Sequence, residues 1–410
     1  MNYIAIPEDP VSRPMPKPFL HDFVRGFFQR KEIFLKAVET HGSPLYLVEE
    51  KVLRDRARQF RKAFESELPT TSFYYAMKSN NLPEVSGIVL DEGFGLDVSS
   101  GLELETALVL GAGDIIFSGP GKTDPELELA VENADRVTVL LDSFGECRRL
   151  MAILDQRKKH LRVGVRLNHH TVGLWRKFGV SMEELLPLYE KIKEHSFISF
   201  RGVQFHSSWN LVPDRQEALI RTLGRALKKM PPSFFKDCEF IDIGGGYWPS
   251  QGEWLVTESP LEHQMIHAAS INTFAQTLGR VILDEILCLG EFRICFEPGR
   301  WICNDAMHII VQVIDKKAPD LVITDAGTNA VGWERFETDY FPVLNLTRSA
   351  MEERPCHVLG SLCTPHDVWG YACFGEEIGE KDILMIPTQG AYTFSLRQEF
   401  IKPLPRVVVV

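Results

Sequence analysis

TSFYYAMKS (71–79) is a run of apolar and aromatic residues that ends in a lysine. A short run of this composition predicts a buried strand. The same form recurs at GFGLDVSS (93–100), DIIFSGP (114–120), RVTVLLDS (136–143), LRVGVRLN (161–168), FRGVQFHSS (200–208) and CEFIDIGGG (238–246). Charged amphipathic segments separate the runs, among them EKVLRDRARQFRKAFESEL (50–68) and SMEELLPLYEKIKEH (181–195). In the latter, Leu185, Leu188 and Ile192 recur at helical spacing, and Ser181 before Glu184 predicts a capping box. Strand and helix in strict alternation predict a parallel sheet. The polar and glycine-rich residues gather at the C-terminal end of each run: Lys78, Asp97, the SGPG turn (118–121), Arg166, His206 and the glycines 244–246. A TIM (β/α)8 barrel collects those ends on one face, where active sites lie. A doubly wound sheet, the alternative from pattern alone, collects fewer of them at its crevice.

After about residue 285 the pattern changes. RICFEPGRWIC, MHIIVQVIDKK, DLVITDAG, HVLGSLC, DILMIPTQG and RVVVV are strand-like with few helices between. This predicts a mostly antiparallel β domain over 285–410. SPLYLVEE (43–50) reads as the first strand of a barrel spanning 46–284, and residues 1–45 read as a segment packing with the β domain.

Composition bounds the function. The 410 residues carry 45 basic and 56 acidic side chains, a net charge of −11. No cationic field is available for nucleic acid or an anionic membrane surface. The eight cysteines form no CxxC pair, so no structural zinc site or other metal site is expected, and reduced thiols fit better than a disulfide framework. The first 19 residues hold five prolines and early acids, unlike a signal peptide. No run approaches about 20 apolar residues. The expected compartment is the cytoplasm.

Several residues can carry chemistry, and each has an ordinary reading beside the functional one. Lys78 at a strand end is a desolvated nucleophilic amine or a solvated lysine. The three glycines 244–246 let backbone amides approach a phosphate or simply make a turn. In Glu297-Pro-Gly-Arg300, the arginine suits a phosphate clamp and a buried glutamate suits a protonated ring nitrogen, unless the two form a surface ion pair. His206 is a core histidine or a flat ring against a planar cofactor. Cys363 and Tyr392 are each commonly core residues.

Nine motifs in order carry more than any one: YAMKSN, DVSSGLEL, SGPGKTD, KFG, QFH, GGG, EPGR, LCTPHD and GAYTFS. From about residue 43 to the C-terminus the chain resembles the fold-type III pyridoxal-phosphate decarboxylases, the family of diaminopimelate, ornithine and biosynthetic arginine decarboxylases. The resemblance implies pyridoxal 5'-phosphate as cofactor and a homodimer with shared active sites. Lys78 would form the Schiff base, with Asp97 and Glu103 in support. His206 would stack on the pyridine and Arg166 would lie under it. Glu297 would pair with the ring nitrogen, and Gly245, Gly246, Arg300 and Tyr392 would hold the phosphate. Cys363 of the partner subunit would reprotonate the substrate carbon, with Asp339 near the substrate's distal end. Alanine racemases share the barrel but place an arginine at the ring nitrogen, so Glu297 favours a decarboxylase.

The chain also departs from this pattern. In diaminopimelate and ornithine decarboxylases an acid follows the cysteine and recognises a distal ammonium group; here it is Thr364. An acid missing there leaves a buried cation unpaired, at a cost of several kcal/mol. The CTP-x-D variant resembles members that act on modified amino acids in siderophore or antibiotic assembly, and Arg335 could pair with an extra carboxylate. HSSWN (206–210) departs too: Ser207 or Ser208 could reach the phosphate, or Trp209 could reshape the pocket. The leading expectation is decarboxylation of a modified amino acid. The alternatives are a diamino-acid decarboxylase of primary metabolism, a racemase, and a non-catalytic cofactor carrier.

Overall fold

The computed structural model describes residues 11–169, 173–332 and 338–410. The chain divides into two compact units. In the first, eight parallel strands close on themselves: β1 (Thr71–Ala76), β2 (Gly95–Val98), β3 (Ile115–Phe117), β4 (Val137–Leu141), β5 (Leu161–Asn168), β6 (Ile198–Phe205), β7 (Phe240–Asp242) and β8 (Arg293–Phe296). Their order around the barrel is the chain order, with β1 against β8 and β4 against β5. Tyr74, Ile116, Leu140, Phe240 and Cys295 from five strands pack together inside. Alternate residues of a strand point the same way, so the wall contributes every second side chain to this filling.

Helices follow the strands and are capped by the residues that end them. Ser100 accepts from the Glu103 amide at 3.3 Å, and Ser143 from the Glu146 amide at 3.1 Å. Ser181 and Glu184 form the expected capping box, a short 3-10 turn precedes the helix Leu185–Lys193, and Leu185, Leu188 and Ile192 are buried. Each cap contributes about 1 kcal/mol.

The second unit is built on an eight-stranded sheet in which five of eight strand pairings are antiparallel. Helices Lys17–Phe28 and Lys31–His41 place Leu20, Val24, Phe27 and Phe34 in one core with Leu45, Leu47, Ile310, Leu344 and Met385 of this sheet. No helix among the described residues is long and apolar enough to cross a membrane.

Both expected boundaries move. Leu45–Val48 is not the first barrel strand: it pairs antiparallel with Met307–Ala318 and parallel with Arg406–Val409 in the second unit's sheet. Arg293–Phe296 is not part of the β domain: it closes the barrel between β1 and β7, so the barrel runs to Gly299 rather than 284. Residues 249–268, inside the expected barrel span, belong to the second unit. The physical reason is common to all three. A short apolar run is equally at home in either sheet, and only distant pairing decides which one it joins.

Candidate active site

The C-terminal ends of the barrel strands carry seven of the expected residues: Lys78, Asp97, Arg166, His206, Gly245, Gly246 and Glu297. Lys78 sits in a single turn just after β1, and Asp97 faces Ala76 in the register of β1 with β2. The Lys78 Nζ donates to Asp97 Oδ2 at 2.5 Å. A third of the lysine side chain remains exposed, whereas Asp97 is fully buried. Ser118, after β3, donates to the other oxygen of Asp97 at 2.6 Å. Burial and the nearby Glu297 raise the pKa of Asp97, and Lys78 opposes them. Glu103 accepts the Ser99 amide at 2.7 Å; burial raises its pKa, against Ser99 and Lys78. It thus braces the loop that follows Asp97.

Glu297 follows β8 and lies buried. Gln204 donates through its amide nitrogen to both carboxylate oxygens, at 3.2 Å each. Burial opposes ionisation, but His206, Lys78 and Arg166 outweigh it and hold Glu297 at about 2. Its own pKa therefore favours the folded state. That contribution is fully present above the ordinary value of 4.5 and is lost only as pH falls through about 2. His206 Nδ1 accepts the Gly245 amide at 3.2 Å, and Nε2 lies 3.1 Å from Ser208 Oγ. Burial lowers its pKa, against the nearby Glu297 carboxylate, whose Oε2 lies 3.8 Å from Nδ1. Arg166 lies 4.6 Å over the Phe178 ring and 3.8 Å from Asp142.

The glycine turn is required sterically. A Cβ at position 245 would meet the Glu297 carbonyl at 2.2 Å, and one at 246, where φ is +87°, would meet the Ser207 carbonyl at 2.1 Å. Ser207 donates to Asn210 at 3.0 Å, and Asn210 returns a bond to the Ser207 carbonyl at 2.9 Å. The Ser207 hydroxyl is thus turned toward Asn210. Trp209 is held beside it at φ +56°, exposed, with its ring 6.0 Å from that of Trp248.

The second unit holds the remaining candidates. Arg300 opens a short helix and lies 4.9 Å over the Tyr392 ring. The loop bearing Tyr392 crosses Cys303 and Asn304 closely, with Gly390 donating to the Asn304 carbonyl at 3.1 Å. Asp339 accepts from Thr338 at 3.1 Å. Cys363 is exposed and Thr364 half-buried. Arg335 lies outside the described residues.

Gln204 in QFH, and Ser118 and Lys122 in SGPGKTD, stand in motifs read from the sequence but without assigned roles, and the ion pair of Lys122 with Glu146 was not read at all. Lys122 donates to the carbonyls of Gly119 and Leu140, at 2.7 and 2.8 Å, and to Glu146 at 3.0 Å. Neither side chain is appreciably exposed. Gln204 carried a readable signal, since it stands two residues before His206 and shares its face of β6. The pairing of Lys122 with Glu146 carried none, because the two stand 24 residues apart and only folding brings them together. Breaking such a pair from one side costs about 3–5 kcal/mol. Lys122→Met is therefore expected to lower the unfolding free energy extrapolated from urea titration by that amount, and with it the midpoint, with much of the loss restored in Lys122→Met/Glu146→Leu. An unchanged midpoint in the single variant would show the pair to be inert.

The set fits pyridoxal phosphate on structural grounds. It offers a partly exposed amine, a buried carboxylate held anionic, a flat, mostly buried ring, and a turn whose space any Cβ would fill. Residues 51–304 match the pyridoxal binding domain of pyridoxal-dependent decarboxylases. The chain belongs to this family. It is a pyridoxal-phosphate-dependent amino-acid decarboxylase. It is 29% identical to a diaminopimelate decarboxylase of Methanothermobacter thermautotrophicus, over 92% of this chain and 88% of that one. It is 26% identical to the 2-[(L-alanin-3-ylcarbamoyl)methyl]-2-hydroxybutanedioate decarboxylase of Staphylococcus aureus, over 81% and 85%. The crystal structure of a Helicobacter pylori diaminopimelate decarboxylase complexed with L-lysine shares the fold, with a TM-score of 0.75, 24% identity, and coverage of 92% and 94%. The racemase alternative finds no support among these decarboxylases.

Proposed function

We propose that this decarboxylase acts on a modified amino acid whose distal end carries carboxylate rather than ammonium, in siderophore or related secondary metabolism. The observation that carries the reading is the loop around Cys363. Its one acid, Asp367, is buried and turned inward. It accepts the Thr328 amide at 2.7 Å, the Thr328 hydroxyl at 3.1 Å and the Leu362 amide at 2.7 Å. The hydroxyl of Thr364, next to the cysteine, accepts the His366 amide at 3.3 Å, and its carbonyl accepts the Asp367 amide at 3.4 Å. The loop therefore offers no free carboxylate to a distal ammonium group. A relative that acts on a hydroxybutanedioate conjugate supports the reading, whereas the diaminopimelate decarboxylases among the relatives support the runner-up.

In the roles proposed, bound pyridoxal phosphate supplies an electron-accepting ring for the charge that develops at Cα. Lys78 Nζ is the amine that holds the cofactor, and Asp97 with Ser118 keeps that amine in position. Glu297 holds a proton at the ring nitrogen. His206 presents its ring face and Arg166 lies beneath. Gly245, Gly246, Arg300 and Tyr392 receive the phosphate. Cys363 Sγ delivers a proton to Cα from the partner subunit of a homodimer, near Asp339, and Arg335 is assigned the role of pairing with the distal carboxylate. The proposed compartment is the cytoplasm.

Thr364→Glu tests the reading. Restoring an acid beside Cys363 is expected to raise kcat/KM for diaminopimelate or lysine at least about 10-fold, since a charge-assisted hydrogen bond contributes about 1.5–3 kcal/mol. A wild-type enzyme that already turns these over rapidly would sink the proposal.

A further inference from the structure

Asp242 has no part in the roles above, yet it is fully buried behind Glu297. Strand register places it between Gln204 of β6 and Cys295 of β8. Glu297, two residues beyond Cys295, lies on the same face. Asp242 Oδ1 accepts the Gly244 amide at 2.8 Å, whereas Oδ2 is buried and has no hydrogen-bond partner among the described residues. Acidic or neutral groups face it from every neighbouring element: Glu297 and Cys295 from β8, Asp97 from β2, and Tyr247 after the glycine turn. The cations Lys78 and Arg166, with His206 and the Gln204 amide, act on Glu297.

Two carboxyl groups in one dry pocket do not both ionise, because each charge destabilises the other and neither is solvated. The proton goes to the group with less support for its anion. Glu297 has an amide and nearby cations, while Asp242 has a single backbone N–H. Burial followed by the charge of Glu297 raises Asp242 well above the ordinary carboxylate range. We propose that Asp242 is a neutral carboxylic acid in the working enzyme, a positioning residue whose proton lies on Oδ2 and steadies the Glu297 carboxylate from behind. Asp242 thereby limits how tightly Glu297 draws the proton of the ring nitrogen. The inference rests on the reading of Glu297 given above.

Infrared spectroscopy of the holoenzyme at neutral pH tests it without any substrate. The carbonyl band of a protonated carboxylic acid is expected in the wild type and absent in Asp242→Asn. The asparagine variant keeps a neutral donor at the same place. It is expected to retain kcat within about threefold and to leave the pH profile of the bound-cofactor absorbance unmoved. Asp242→Ala is expected to lose about 10–100-fold in kcat, as when other supports behind a site are removed. An absent band in the wild type, or an asparagine variant with a displaced pH profile, overturns the proposal. Failure of the Glu297 reading looks different: the Asp242 band persists, while Glu297→Gln leaves the absorbance unchanged.

Discussion

Lys78→Ala is expected to lose at least about 10³-fold in kcat/KM, roughly 4 kcal/mol of transition-state stabilisation. Lys78, at the barrel face, pairs with the fully buried Asp97 at 2.5 Å. That contact holds Nζ in one place while a third of the side chain stays open to a ligand. Removing it also leaves Asp97 without its cation, in a pocket that already contains Glu297. A second effect follows: Asp97 takes up a proton more readily, and stability falls by several kcal/mol. Borohydride reduction followed by peptide mapping checks the assignment directly. The wild-type linkage is expected on the 71–79 peptide. A reducible linkage that survives in Lys78→Ala would contradict it.

Glu297→Gln is expected to lower kcat about 10²–10³-fold with little change in KM, the range seen when one preorganised electrostatic group is removed. The carboxylate is held at about 2 against the cost of its burial. That arrangement has use only if something positive meets it. Glutamine keeps the shape and removes the charge, so cofactor retention is expected while turnover falls. The pH dependence separates this from a general loss of structure. Glu297 stays ionised across the whole neutral and mildly acidic range, so it contributes no acidic limb to the rate profile. Wild-type activity that falls near pH 4–5 through Glu297, judged by its absence in Glu297→Gln, would refute the assignment.

Much of the site was legible because a parallel barrel concentrates chemistry at strand ends. Lys78, Asp97, His206 and Glu297 each follow an apolar run, and the structure brings them to one face. The capping box at Ser181 was legible for a local reason: both of its bonds lie within four residues. The barrel's last strand was not. RICF reads like the β-domain strands that follow it, and the stretch 249–268, which folds with the second unit, hides its continuity with β7. Leu45–Val48 was misplaced for the mirror reason, since nothing local tells a first barrel strand from a strand whose partners lie some 260 and 360 residues later. Buried polar pairs were the least readable. Lys122 with Glu146, and Asp242 with Glu297, become pairs only when helix or strand neighbours are set side by side.

The substrate is decided by carbon dioxide release from the cofactor-loaded enzyme. The panel is meso-diaminopimelate, ornithine, lysine and arginine, set against a citrate-linked 2,3-diaminopropionate. Release is expected from the conjugate, with little or none from the four simple amino acids. Rapid turnover of any of the four, with the conjugate inert, would contradict the reading of Thr364 and Asp367 and return the enzyme to diamino-acid metabolism.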